Sequence, residues 1–237
     1  MKRLIINLVI MTVVWVTSPV RAEVRYNLID LGPGTPQSIN NMGQVVGSVN
    51  YRATLFDSSG NGNNLDLGTL GGSESYAYGI NDNGQIVGYA RNASSYYRAT
   101  LFDSTGGGAN IDLGALGGNE SRAYSINNNG KIVGRADAAS GNEYATLFDS
   151  TGGGSNIWLR SLGGNYSSAY SINDSGEIVG TAYINGVSYH ATLFDSTGAG
   201  NNIDLATPGS SGATSINDSG QIVGYASPGF YRATLFD

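Results

Sequence analysis

Residues 79–88 read Gly-Ile-Asn-Asp-Asn-Gly-Gln-Ile-Val-Gly, and variants of the same phrase stand at 38–47, 125–134, 171–180 and 215–224. A second phrase, Ala-Thr-Leu-Phe-Asp, begins at Ala53, Ala99, Ala145, Ala191 and Ala233, so the copies are spaced by 46, 46, 46 and 42 residues. A third, an apolar residue followed two places later by Leu, falls at 29–31, 65–67, 111–113, 157–159 and 203–205. Three phrases recurring five times define one repeating unit. A period of roughly 40 to 50 residues belongs to propellers and other repeat architectures.

Each unit reads as four short strands. In the second copy these are 76–81, 85–91, 98–104 and 110–113, rich in Ile, Val, Leu, Phe, Tyr and Thr and bounded by Gly, Asn, Asp and Ser. The turn 81–84 joins the first two strands, and its last place is glycine in every copy: Gly43, Gly84, Gly130, Gly176 and Gly220. A hairpin of this length needs a left-handed residue there, which any side chain disfavours. Adjacent apolar pairs such as Ile86 with Val87 and Leu101 with Phe102 point to opposite faces of a strand. Both faces of each sheet must then be covered by neighbours.

These features predict an all-β fold, a five-bladed β-propeller of four-stranded antiparallel blades. The chain opens with a fourth-type strand at 27–31 and stops after a third-type strand at 232–237. The N-terminal strand is therefore expected to complete the last blade and close the ring, burying two sheet edges. The competing architecture is a linear stack of sheets with open ends.

Composition bounds the chemistry. The 237 residues include no Cys, 36 Gly, only 5 Pro, 12 basic and 18 acidic side chains and a single His. Disulfides, thiolate metal sites and thiol catalysis are excluded. Met1, Lys2 and Arg3 precede an apolar stretch from Leu4 to Val16 and a small-residue cleavage site at Ala22, the pattern of a cleavable export signal over residues 1–22. An uncleaved anchor is the competing reading, but the apolar stretch falls short of the ~20 residues that cross a bilayer. Residues 23–237 form the propeller, carry nine basic against 18 acidic residues and hold Lys131 as their one lysine. Nucleic acid is not expected as a partner, since neutralising phosphates takes clustered Lys and Arg. After cleavage no membrane contact is expected either, and the localisation would be extracellular or periplasmic.

Residues 66–88, Asp-Leu-Gly-Thr-Leu-Gly-Gly-Ser-Glu-Ser-Tyr-Ala-Tyr-Gly-Ile-Asn-Asp-Asn-Gly-Gln-Ile-Val-Gly, resemble the HAF-repeat family of bacterial extracellular repeat proteins, and the likeness runs through nearly all of the chain after the export signal. The tripeptide His-Ala-Phe that names that family stands here as Arg52-Ala53-Thr54, Arg98-Ala99-Thr100, Tyr144-Ala145-Thr146, His190-Ala191-Thr192 and Arg232-Ala233-Thr234. Only one copy keeps the histidine. The resemblance implies export and repetition and brings no catalytic residues.

Candidate sites follow from where the copies agree and where they differ. Asp57, Asp103, Asp149 and Asp195 end each third strand before a Gly-rich turn. Repeated acids could suggest calcium, but the turn 81–84 has fewer acids than calcium loops use, and turn-amide acceptors are the simpler role. His190 lacks the partners of a zinc site and matches arginine in other copies, so it reads as a strand residue. Glu74 and Glu120, at equivalent positions, are the carboxylate pair a hydrolase or lyase would use. Variation concentrates between the second and third strands, at 48–51, 89–97, 135–143, 181–189 and 225–231. The expected rim carries Tyr51, Tyr96, Tyr97, Arg98, Tyr144, Tyr189, His190, Phe230 and Tyr231. Aromatic rings beside Arg and Asn donors suit stacking on sugars or peptide side chains. The shorter first and last loops would be neighbours in a closed ring and leave a groove. The expected function is thus a secreted, non-enzymatic binding or adhesion module for extracellular glycan or protein, with no cofactor and no metal. A structural repeat protein of the cell surface or matrix is the alternative, and a polysaccharide hydrolase or lyase the second. Neither the ligand nor the oligomeric state is legible.

Overall fold

The computed structural model describes residues 27–184, 188–205, 209–227 and 229–236, so the expected export signal lies outside the described residues. Sheet 1 holds Thr35–Ile39, Val45–Val49, Arg52–Phe56 and Leu65–Asp66 (β1 to β4). Sheet 2 holds Gly71–Ile80, Ile86–Asn92, Tyr97–Phe102 and Ile111–Asp112 (β5 to β8). Sheet 3 holds Gly117–Ile126, Ile132–Ala138, Glu143–Phe148 and Ile157–Trp158 (β9 to β12). Sheet 4 holds Gly163–Ile172, Ile178–Ile184, Tyr189–Phe194 and Ile203–Asp204 (β13 to β16). Sheet 5 holds Ser210–Ile216, Ile222–Ser227 and Arg232–Phe236 (β17 to β19). Every pairing between these strands is antiparallel, strands follow chain order within each sheet, and no helix occurs among the described residues. One difference from the sequence reading is the length of the first strand. In sheets 2 to 4 it spans ten residues, because the Leu-Gly-Gly link is already strand and pairs past a bulge, as in Gly71 with Asn92.

The turn glycines adopt the left-handed conformation required of them, with φ between +74° and +89° from Gly43 to Gly220. Each turn is organised by its asparagine. In the turn 81–84, Asn81 Oδ1 accepts from the amides of Asn83 and Gln85, while Gly84 N–H donates to Asn81 O. The glycine after the Ile-Val pair has a different cause. The first strand bulges between Ala77 and Gly79, and its counterparts do likewise, which drives a carbonyl against the neighbouring strand. A Cβ on Gly47, Gly88, Gly134, Gly180 or Gly224 would lie well under 3.0 Å from that carbonyl oxygen.

The apolar pairs split as expected. Ile86 and Ala90 of sheet 2 pack with Val46 and Ala53 of sheet 1, whereas Val87 and Ala99 pack with Ala123, Ile126 and Ile132 of sheet 3. Four such clusters separate the five sheets. Each junction is also bonded by polar groups at fixed positions. The amide of Ala53 donates to buried Ser75 Oγ (2.9 Å), as Ala99 does to Ser121, Ala145 to Ser167 and Ala191 to Ser211. Near the axis, Asn40 Nδ2 donates to Asn81 O, Asn81 to Asn127 O, Asn127 to Asn173 O and Asn173 to Asn217 O. The turns of all five sheets converge there around a cavity of about 200 Å³, so the stack curves about an axis.

Ring closure is not seen among the described residues. Sheet 5 has three strands among its described residues, and residues 27–31 form no strand. Instead Asn64 Nδ2 donates to Leu31 O (3.0 Å), the bond by which Asn110, Asn156 and Asn202 hold Leu67, Leu113 and Leu159 of the preceding sheet's last segment. The N-terminal segment thus sits beside sheet 1, where a preceding sheet's fourth strand belongs. To pair with β19 it would need sheets 1 and 5 to stack, and no packed cluster joins them. The four-strand prediction therefore holds for sheets 1 to 4, the closed ring gives way to an open arc, and the expected groove between first and last loops is not formed.

Candidate functional site

Along the second strand of each sheet alternate side chains face the next sheet: Val87, Tyr89 and Arg91 in sheet 2. Near the hairpin turns this surface is aliphatic. Toward the loops joining second to third strands it changes to Tyr and Arg, and there a continuous seam of rings crosses from sheet to sheet. Tyr89 lies 5.1 Å from Tyr76, 5.3 Å from Tyr78 and 5.2 Å from Tyr97. Tyr78 touches its equivalent Tyr124 of sheet 3, and Tyr124 touches Tyr170 of sheet 4, both at 5.8 Å. The Arg122 guanidinium stands 5.4 Å from the Tyr89 ring and 5.3 Å from that of Tyr97. Farther along, Arg135 Nη1 donates to Glu143 Oε2 (2.7 Å) and Tyr166 OH (3.0 Å), and Tyr166 meets Tyr189 edge-on. Tyr225 with Tyr231 ends the series in sheet 5.

Sequence reasoning placed the loop residues on one face, and the structure sorts them into two groups. Tyr97 donates to Glu74, which also accepts from Arg91 Nε (3.2 Å). Arg98 Nε pairs with Asp112 (3.1 Å), Arg52 with Asp66 (3.1 Å), and His190 Nδ1 meets Asp204 (3.0 Å). In sheet 3 both members of this cross-strand pair are exchanged together, and the buried Tyr144 ring packs against Trp158, tilted by 45° with centroids 4.7 Å apart. The position that His190 holds in sheet 4 is therefore a structural partner for the fourth strand. Tyr97, Arg98, Tyr144 and His190 are occupied by the protein itself. Tyr51, Tyr96, Tyr189, Phe230 and Tyr231 remain exposed, the last two 83% and 75% so. They are spread over sheets 1, 2, 4 and 5, with Phe230 and Tyr231 side by side in the loop of sheet 5.

The seam residues Tyr76, Tyr78, Arg122, Tyr124, Tyr166 and Tyr170 were not singled out from sequence, because they belong to first strands that otherwise repeat closely. A signal existed: the position of Tyr76 reads Arg122, Ser168 and Gly212 in later copies. Tyr89 and Arg135 stood within the variable segments but are strand, not loop. Charge states are set by this packing. Hydrogen bonds from Tyr97 and then Arg91 hold the Glu74 carboxyl below its ordinary pKa. Burial raises the pKa of the Tyr76 phenol to about 12 and also raises those of Tyr89 and Tyr97. The wall is thus an ionised carboxylate, cations and neutral phenols, equipped to present hydrogen-bond donors and ring faces.

The opposite, turn-bearing face holds two equivalent open cavities. One of about 520 Å³ lies between Glu177, Phe194 and Ile203, the other of about 490 Å³ between Lys131, Phe148 and Ile157. Asp195 lines the first and Asp149 the second, and their oxygens are engaged as expected: Asp103 accepts from the amide and hydroxyl of Thr105, and Asp57, Asp149 and Asp195 accept the same pair of bonds. Those bonds lower all four carboxyl pKa values in the folded state, the side-chain hydroxyl contributing most. A depressed folded pKa stabilises above the unfolded value and is lost as pH falls through the folded one. The midpoint of urea unfolding is expected to hold between pH 7 and 5 and fall below about pH 4, and substituting the four aspartates with Asn should flatten that decline.

The profile of a family described as a protein of unknown function, DUF3466, matches residues 69–203, more than half of the chain. The chain belongs to the DUF3466 family. The DUF3466 stretch runs from the link entering sheet 2 to the last strand of sheet 4, the part where each sheet has a neighbour on both sides. Among solved structures the chain resembles that titled "Crystal structure of TolB from Acinetobacter baumannii", with a TM-score of 0.55 and 13% sequence identity over 86% of this chain. The likeness supports a β-propeller type of architecture and extends to no more than fold. The chain spans about half of that structure, 54% of its length. No curated protein matches the sequence.

Proposed function

We propose that this DUF3466 protein is a secreted, non-enzymatic binding or adhesion module that takes extracellular glycan, in preference to protein, on its loop-bearing face. The observation that carries the reading is the exposure of Tyr96, Tyr189, Phe230 and Tyr231 along that face, above a seam in which Tyr97 is bonded to Glu74 and Arg135 Nη1 to Glu143 and Tyr166. Exposed rings held by a rigid backing stack on sugar faces with little ordering cost. The HAF-like repeats and the export signal read from residues 1–22 support placement outside the cytoplasm. A hydrolase is disfavoured by the state of its candidate acids: Glu74 is held by Tyr97 and Arg91, and Glu120 accepts from Arg122 Nη2 (3.2 Å). Neither is in the apolar setting that keeps a carboxylic acid protonated for leaving-group chemistry.

A glycan array probed with residues 23–237 is the test. Binding weakened about tenfold or more by Tyr189→Ala or Tyr231→Ala, with Tyr97→Phe near wild type, is the expected result, a factor of ten being about 1.4 kcal/mol. Binding to no glycan on the array would overturn the glycan reading. Turnover of a polysaccharide that disappears in Glu74→Gln would replace it with the enzyme reading.

A further inference from the structure

The two ends of the arc are unlike and complementary. At its tail, sheet 5 displays the face that sheets 1 to 4 each bury against a successor: Val223 is 46% exposed where Val46, Val87, Val133 and Val179 are fully buried, and Leu235 is 59% exposed. At its head, sheet 1 displays Ile39, 67% exposed where Ile80, Ile126, Ile172 and Ile216 are buried against a predecessor. One recurring set of polar bonds across each internal junction runs from the earlier sheet to the later, while the bonds from Asn110, Asn156 and Asn202 to Leu67 O, Leu113 O and Leu159 O run the other way. Asn40 Nδ2, the Asn41 amide and the Ala53 amide of sheet 1 donate to Asn81 O, Asp82 Oδ1 and Ser75 Oγ of sheet 2, and the pattern repeats to sheet 5. In that set the tail ends in donors, at Asn217, Asp218 and Ala233, and the head in acceptors at Asn40 and Asn41. Two tails would set donor against donor.

The strand edges complement each other too. Sheet 5 lacks a fourth strand among its described residues, while residues 29–31 lie beside sheet 1 in the place of a preceding sheet's fourth strand. In sheets 1 and 2 that strand pairs with the third in a fixed register, Thr54 opposite Asp66 and Thr100 opposite Asp112, and its aspartate binds the arginine of the third strand, Arg52 or Arg98. The same register sets Asp30 against Thr234 and within reach of Arg232.

We propose that the protein self-associates head to tail, the first sheet of one copy packing on the fifth sheet of another and contributing residues 29–31 as a fourth strand beside β19. The occupant is a second copy of this chain, chosen because the four internal junctions supply the template and because Arg232 and Asp30 match in charge. The junction lacks one internal bond, since Gly34 stands where Ser75 and its equivalents accept, and Pro36 replaces the alanine at Ala77. It is accordingly weaker than the internal ones and reversible. A heterologous contact of this kind leaves one head and one tail free, so growth continues beyond a dimer.

Sedimentation velocity on residues 23–237 over a range of concentrations tests this. A series of species whose mean mass rises with concentration is expected. Arg232→Asp and Asp30→Arg, both at exposed positions, should each weaken association at least tenfold alone, and an equimolar mixture of the two variants should restore it, since every junction then pairs opposite charges. Val223→Glu should abolish association, with no rescue by either. A monomer at every concentration overturns the proposal. So does a mass independent of concentration in which the charge variants alter only stability and mixing rescues nothing, the outcome of closure within one chain.

Discussion

Replacing Gly134 with alanine is expected to destabilise the arc by at least about 3 kcal/mol, within the range of severe overpacking. The added Cβ would fall well under 3.0 Å from Arg122 O, a backbone atom fixed by the bulge between Val133 and Gly134. A carbonyl cannot step aside as a flexible side chain can, so the strand pair itself must part. The control lies four residues earlier. Gly130 has φ +75° but open space around it apart from the end of the Gln85 side chain, so Gly130→Ala carries only left-handed strain, about 1 kcal/mol. Chemical denaturation of the two variants should separate them clearly. Equal midpoints would mean that the bulge relaxes and that the close approach is not what demands glycine.

The second large effect is expected at Asn81. Its side chain is 4% exposed and makes four hydrogen bonds: it accepts from Asn83 and Gln85 amides, and donates to Gln85 Oε1 (2.8 Å) and to Asn127 O (2.9 Å) across the junction. Asn81→Ala orphans two turn amides and removes the buried cross-junction bond to Asn127 O, a carbonyl that keeps its bond from Gly130 N–H, for an expected loss of about 3 kcal/mol. Asn217 occupies the equivalent place in the last sheet, keeps the turn bonds but is exposed and bonds to no following sheet. Asn217→Ala should cost about 1 kcal/mol. Measured by urea unfolding, the difference between the two isolates what the cross-junction bond and its burial contribute. Identical losses would show that the turn alone uses the asparagine.

Much of this was legible because repetition converts a residue type into a structural requirement stated five times. The turn glycines, the aspartates that accept turn amides and the split of Ile86 and Val87 between two faces all follow from local rules of φ, hydrogen bonding and strand alternation. The candidate site was legible only in part. Tyr189, Phe230 and Tyr231 are exposed as read, but Tyr97, Arg98 and His190 proved to be committed to Glu74, Asp112 and Asp204. A sequence does not say which neighbour an exposed-looking ring or cation already has, since those partners come from other strands 14 or more residues away.

The amino-acid sequence by itself determined the unit: four strands, their turns, their two apolar faces and the face on which variable segments gather, all properties of contacts within about one repeat. Only the tertiary structure decided how the units end. Whether the first and last sheets meet depends on the angle accumulated over four junctions, a sum of small rotations set by side-chain packing that no single repeat encodes. The same long-range packing threads Tyr78, Tyr124 and Tyr170 into one seam and leaves Val223, Leu235 and Ile39 without neighbours.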